Sequence, residues 1–372
     1  MITDVLIEIN GVAYDGFIDL AVSREFTRVA NQFVFTIAPN PNFPVLVNNT
    51  CKITINGQTI INGYVEIKST MYNSTTHTIT IEGRDKTCDL VDSSAGPNIS
   101  FNPGLTLPEI IENCLKQLGI TDIKIFSNVT VTPFDRSTEI GADIGVTMFD
   151  FLEKLCRVKQ VIMTTDGNGN ILLDRASKTP ISTYLLNEEG SELNNILNAS
   201  ARYDYSKLFN TYNGICSSNP NGALSVVQTP EEMSNNPIKP AVNKDIRKSR
   251  QYYFIPEAIA TVEDVNLRVQ WKRDTDKAQA LVYACTIDGI IAREDGILWA
   301  PNLLVNVVDI FAGVNGQFLI TSVVHHISRD GGATTDLVMV SQDAFRLESE
   351  QNARDASENI LGLGYVVDDK TT

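Results

Sequence analysis

The chain has 372 residues, 43% of them hydrophobic, enough to bury the cores of about two to four domains at roughly 100–200 residues each. Its 45 acidic and 30 basic side chains leave a net charge of −15, the wrong sign for a surface that grips nucleic acid by neutralising phosphates. Like charge would instead keep DNA from adhering to a wall it slides along. Six scattered cysteines, Cys51, Cys88, Cys114, Cys156, Cys216 and Cys285, show no C-x-x-C spacing and read as buried thiols rather than a zinc or redox site. Neither a secretory leader nor an apolar run of membrane-spanning length is visible, so the expectation is a protein that folds in a cytoplasm and has no membrane anchor.

In chain order, the first ninety or so residues alternate apolar and polar: Val5–Ile9, Gln32–Ile37, Cys51–Ile55 and His77–Ile81. Period two with β-branched residues predicts half-buried strands. Asn10-Gly11, Asn56-Gly57 and Asn62-Gly63 supply turn chemistry between them, and several short strands with regular turns imply a closed or nearly closed barrel. Past Pro97 the pattern changes. Thr106 reads as the N-cap of a helix carrying Ile110, Ile111, Cys114, Leu115 and Leu118 on one face and ending at Gly119; a second helix opens near Thr147. A hairpin follows, Val161–Met163 and Ile171–Leu173 around Asp166-Gly167-Asn168-Gly169. Strands return from about Asn195, broken by a Pro/Asn/Ser-rich stretch, Ser217–Pro240, that reads as a long loop. Asp264–Ala280 is charged and helical, with Val265, Val269 and Ala280 inward, although Asp274 and Asp276 weaken that pattern; Leu281–Ile291, Leu303–Val308, Phe318–His326 and Thr335–Val340 are further strands. After Phe345 a polar run ends in a Gly-rich tail with no core of its own.

Candidates for chemistry are few. The three histidines are His77, His325 and His326; the last two are adjacent on a predicted strand, point to opposite faces and cannot share a metal. Asp166, Asn168 and Asn170 match the first ligand positions of a calcium loop, but Ile171 stands where Gly is needed and Ser177 where a bidentate Glu is needed, so a hairpin turn is expected. No G-x-S-x-G elbow occurs, and Gly362 and Gly364 lack the rest of a dinucleotide fingerprint. No catalytic, cofactor-binding or metal-binding residue is assigned, and the expectation is that the chain is not an enzyme.

More specific is Gly83-Arg84-Asp85-Lys86-Thr87-Cys88-Asp89-Leu90-Val91-Asp92. Read locally, a strand ends at Glu82, Gly83 permits a sharp turn, Arg84 and Asp85 pair or cap nearby, and Leu90 and Val91 anchor the exit. The stretch resembles the G-R-D-x-x-x-D-L-x-D segment of the Mu-like baseplate hub proteins of contractile phage tails, relatives of the late control gene D proteins and of the hub portion of VgrG spikes. Further fragments follow in the family's order, Gly145–Leu152, Asp288-Gly289, Gly296–Asn302, Phe318–Ile320 and Gly332–Leu337.

The resemblance implies a mainly β chain with α+β content: two similar tube-type β-barrel domains, 1–92 and 191–345, flank a small mixed domain, 93–190, with a loop insertion at 217–260 and a tail at 346–372. It further implies a homotrimer forming a pseudo-six-fold ring in the virion's tail baseplate, assembled in the host cytoplasm. Such a ring joins the tail tube or tube initiator to the central spike, touches baseplate wedge proteins and lines the conduit that DNA passes without specific binding. A cell-wall-binding or cell-wall-degrading tail protein acting through the middle domain is the alternative.

Overall fold

The computed structural model describes residues 4–14, 16–38, 45–75, 77–96, 100–102, 104–134, 140–215, 238–255 and 262–341. The chain divides into two compact units, Met1–Asp204 with Leu281–Ser341, and Tyr205–Ala280 with Gln342–Thr372.

The larger unit is mainly β. Its first region holds β1 (Val5–Ile9), β2 (Val12–Tyr14), β3 (Phe17–Glu25), β4 (Gln32–Ile37), β5 (Thr50–Ile55), β6 (Gln58–Tyr72) and β7 (His77–Asp85). Alternation turns Ile7, Val22, Phe33, Phe35, Ile53, Val65 and Ile81 into one core, so the sheet curls round its own apolar face. Asn10-Gly11 and Asn56-Gly57 take positive φ in tight hairpin turns. Asn62-Gly63, expected to turn, lies inside continuous β6. A Cβ on Gly63 would sit 1.8 Å from the Arg84 carbonyl oxygen, so glycine is there to let β7 approach.

After α1 (Cys88–Asp92) and β8 (Ser100–Phe101), the mixed region contains α2 (Leu107–Gln117), β9 (Ile125–Ser127), β10 (Ile140–Gly141), α3 (Met148–Val158), β11 (Ile162–Thr165) and β12 (Ile171–Asp174). Glu109 accepts the Thr106 backbone N–H at 2.7 Å, and the Thr147 hydroxyl accepts from the Asp150 N–H at 3.0 Å, fixing both helix starts. Ile110, Ile111 and Cys114 of α2 meet Phe151, Leu152 and Cys156 of α3 over Met163, Ile171 and Leu173.

The second β region comprises β13 (Pro180–Asn187), β14 (Ile196–Tyr203), β18 (Leu281–Asp288), β19 (Leu304–Asp309), β20 (Val314–Ser328) and β21 (Gly332–Ser341). β13, which the sequence reading gave to the small domain, pairs with β19 and so belongs with this sheet. Both regions join through β3 and β20 into a 13-stranded sheet.

The smaller unit holds β15 (Thr211–Gly214), β16 (Ala241–Val242), β17 (Gln251–Phe254) and α4 (Val262–Gln279). Where 217–260 was expected to be loop, residues 238–255 carry two strands paired to β15; most of Ser217–Pro240 lies outside the described residues. Tyr212, Val265 and Val269 are fully buried, and a Cβ on Gly214 would meet Val269 at 2.5 Å, so its absence lets α4 close on β15. Asp274 and Asp276 do not interrupt α4 because Arg273 and Lys272 pair with them at 2.7 and 2.5 Å.

Candidate assembly surface

The motif Gly83–Asp92 sits where the first β region passes into the mixed region, at the end of β7 and along α1. The strand does not stop at Glu82. It runs to Asp85, with Gly83 paired to both Phe33 and Val65. Gly83 is therefore no turn residue. Its Cβ would lie 2.1 Å from the Tyr64 carbonyl oxygen and 2.4 Å from the Phe33 ring, and only glycine admits that packing.

Arg84 and Asp85 then point to opposite faces, as strand neighbours must. Arg84 grips Glu66 with two hydrogen bonds of 2.6 Å and reaches Asp92 at 3.1 Å, tying β6, β7 and α1 together. Hydrogen bonding to Glu66 and Asp92 raises the guanidinium's pKa, and the bond from Arg84 holds Asp92 below its ordinary value. Asp85 is 1% exposed. It accepts from the Thr87 N–H at 3.0 Å, the Asn31 N–H at 3.1 Å and the Thr165 hydroxyl at 3.0 Å, so the buried carboxylate links β7, the β3–β4 turn and β11. Burial pushes its pKa up, and the hydrogen bonds from Thr87, Thr165 and Asn31 oppose that. Leu90 is fully buried in the core of the mixed region with Val91 packed against it, the anchor expected.

The outer face of the sheet beside this node is concave. A depression of about 540 Å³ is lined by the short or β-branched side chains of Ala21, Ser23, Val34, Ile67 and Val324 and by the polar side chains of Gln32, Glu82, Glu66 and Arg84. Such a surface offers backbone-scale relief and mixed polarity, suited to another protein surface more than to a small ligand.

The other candidates resolve into structure. His325 is fully buried, its Nε2 donating to the Trp299 carbonyl at 3.0 Å with Nδ1 3.2 Å from the Thr335 hydroxyl; burial, with Arg24 nearby, lowers its pKa to about 4. His326 points outward and pairs with Asp336 at 2.9 Å. The Asp166 carboxylate is taken up by the Asn168 and Asn170 N–H groups at 2.8 and 2.9 Å, a hairpin turn as expected. A Cβ on Gly167 of that turn would lie 1.9 Å from the Thr59 carbonyl oxygen, a close approach to β6 that sequence spacing could not reveal. Five of the six cysteines are buried thiols, with Cys51, Cys88, Cys114 and Cys285 pushed up to about 12 by burial; Cys216, like Gly362 and Gly364, lies outside the described residues.

Two features were missed in the sequence. One is a pair of unsheltered strand edges: β14 pairs only with β18, and Ile67–Tyr72 of β6 pairs only with β7 among the described residues. Ile67, Met71 and Tyr72 are 51%, 71% and 78% exposed. The other is the β19–β20 turn, where Phe311 is 98% exposed beside Ile310. Apolar alternation in these strands signalled burial that the described residues do not supply.

Three family models match the chain: the N-terminal domain of Mu phage baseplate assembly protein GpP-like over residues 4–85, the second domain of baseplate hub protein gp44-like over 87–175, and the fourth domain of Mu phage baseplate assembly protein GpP over 261–348. Baseplate hub protein gp44 of Escherichia phage Mu is 24% identical over 377 residues, covering 99% of this chain and 96% of its own. The 43 kDa tail protein of prophage MuSo2 from Shewanella oneidensis superposes with a TM-score of 0.77 at 25% identity, covering 92% of this chain and all of its own. A tail protein from Neisseria meningitidis MC58 superposes with the same TM-score at 17% identity over 92% of this chain and 98% of its own, a likeness of fold.

Proposed function

The chain belongs to the Mu-like baseplate hub proteins of contractile phage tails, and we propose that three copies form a pseudo-six-fold ring joining the tail tube to the central spike. A six-fold tube and a three-fold spike can share one axis only if each subunit presents two near-equivalent surfaces. The observation that carries the reading is that the two β regions have the same strand order. The first runs β3-β4-β7-β6-β5-β1 and the second β14-β18-β21-β20-β19-β13, with chain positions in one-to-one correspondence.

Irregularities repeat as well. β6 and β20 are both 15 residues long, and each slips register against its partner near its middle, at Val65/Ile67 and Ile320/Ser322. β3 and β14 both slip near their start, at Phe17/Asp19 and Ile196/Asn198. Bulges in matching places are evidence of one fold used twice. The two regions also depart from each other: the slips at Ile53/Thr54 of β5 and Pro180/Tyr184 of β13 have no counterpart, and β1 is antiparallel to β5, whereas β13 is parallel to β19. The extra strand β2 accounts for the difference in direction, since β2 reverses the chain before β3 and the second region has no such strand between β13 and β14.

The role is structural, with no chemistry assigned to any side chain. The net charge of −15 supports a conduit that DNA crosses without specific binding, and tube, spike and wedge proteins are the expected neighbours in the virion's tail. Native mass spectrometry and negative-stain class averages of the purified full chain test the ring. A three-chain mass with six-lobed particles is expected; a stable monomer or dimer at all concentrations refutes it.

A further inference from the structure

Resting on that trimeric reading, we propose how the ring closes: β14 of one copy adds as an antiparallel strand to the free half of β6 in the next. The chain already contains the contact once. After its bulge, Ser322–Ser328 of β20 pairs with β3, and this joins the second region to the first. β6 is the counterpart of β20, and β14 the counterpart of β3. Among the described residues of one copy both of these counterparts lie open: β14 offers a free edge, and β6 beyond its bulge pairs on one side only.

Both edges also look like surfaces awaiting a strand. β14 is eight residues long with one charge, Arg202, and no proline, and Leu197 and Tyr203 are 59% and 54% exposed. A long, nearly uncharged free edge is what soluble proteins ordinarily avoid, because it recruits another chain. The facing half of β6 shows the apolar exposure noted above. Six strands lie between β14 and β6 in the sheet order, so the two do not pair with each other within one chain, and the repeat of the β20–β3 contact makes a second copy the occupant of each.

Register follows from the repeat. Counting from the shared bulges, Ile67 takes the place of Ser322, and Ser200 the place of Ala21. His325 faces Val22 within the chain, so Thr70 faces Ala201 across the interface, with Ser69 facing Arg202 and Lys68 facing Tyr203. No like charges stand opposite each other in this register, and reversing the roles of the two strands would leave β3 without its match.

Cysteine pairing tests the register in the full chain. Adjacent pairs in an antiparallel ladder alternate between wide and close spacing, so one of Thr70→Cys/Ala201→Cys and Ser69→Cys/Arg202→Cys suits a disulfide. Mild oxidation should convert that variant to covalent trimer on a non-reducing gel, whereas Thr70→Cys/Asn198→Cys, three residues out of register, should stay unlinked. Independently, amides of 67–72 and 196–203 in the unaltered protein should exchange at least ten-fold more slowly in trimer than in monomer. A three-chain mass without linkage in either pair and without that protection overturns the strand pairing and leaves the ring standing. A chain that never assembles overturns the ring, and the pairing with it.

Discussion

The two β regions share strand order and bulges but fill their interiors differently, and the clearest difference lies at one position. Counted from the bulges, Gly83 of β7 falls where β21 has Met339, and Phe33 of β4 where β18 has Tyr283. In the second region Met339 is fully buried and Tyr283 sends its hydroxyl 2.7 Å to Asp309. In the first region the Phe33 ring itself takes the space a side chain at 83 would need. Topology is thus set by pleat and bulge, while the side chains that complete each core are chosen separately for each copy of the fold.

The largest expected effect tests that independence. Gly83→Met, which gives the first region the residue of the second, should lower the urea midpoint by an amount equivalent to about 3 kcal/mol or more, because backbone as well as a ring must move. The reciprocal Met339→Gly should cost a comparable amount by leaving a cavity and a freer backbone. If either substitution leaves the midpoint unchanged, the two interiors are interchangeable and the comparison fails.

That glycine also marks what could be read in the sequence. Strand alternation at Val5–Ile9 and Gln32–Ile37, and the caps Thr106 and Thr147, are local signals, and the structure repeats them nearly residue for residue. Gly63 and Gly83 read as turns because their reason is a contact with a neighbouring strand, which no local pattern encodes. The assignment of β13 failed for the same cause: its partner β19 is more than a hundred residues away. In the first region residues 26–31 join β3 to β4, but in the second the unit Tyr205–Ala280 is inserted at the matching connection; Val265 and Val269 of its core were legible as the inner face of a helix, whereas Ala241, Tyr252 and Phe254 were read as loop.

A second difference is titratable. His325 of β20 corresponds to Thr70 of β6, so only the second region carries a buried imidazole. Its folded pKa of about 4 lies below the ordinary value of 6.5, so the unfolded chain takes up the proton first as pH falls. Stability from this group is full above pH 6.5 and is lost progressively as pH falls toward 4, by up to about 3 kcal/mol. His325→Gln should flatten the difference in urea midpoint between pH 7 and pH 4.5 relative to the unaltered protein. An unchanged slope would mean that other groups carry the acid sensitivity.

Edges provide a smaller effect. Tyr72, at 78% exposure, corresponds to Ile327, which is 5% exposed because the first region covers it. If a neighbouring copy covers Tyr72 in the same way, Tyr72→Asp should weaken assembly by about 1–2 kcal/mol per interface, read as a roughly ten-fold rise in the concentration at which trimer forms. Melting of the isolated subunit should not change. A trimer as strong as the unaltered one would show that β6 lies outside the subunit contact.

The smallest effect belongs to the turns that the repeat places in register. β5 and β6 are joined by Asn56-Gly57, a compact polar turn with both residues at positive φ. β19 and β20 are joined through Ile310-Phe311-Ala312-Gly313, held by the Tyr203 hydroxyl at 3.2 Å from the Ala312 carbonyl oxygen, with the Phe311 ring almost wholly in solvent. A ring so exposed contributes little to folding, since the water it meets is the same before and after. Phe311→Ser should therefore move the urea midpoint by less than about 0.5 kcal/mol and leave the trimer mass intact, because the bond from Tyr203 of β14 goes to backbone carbonyls of the turn and not to the side chain at 311. A loss of trimer in Phe311→Ser would instead put the second region's turn inside the subunit contact and break the match with Asn56-Gly57.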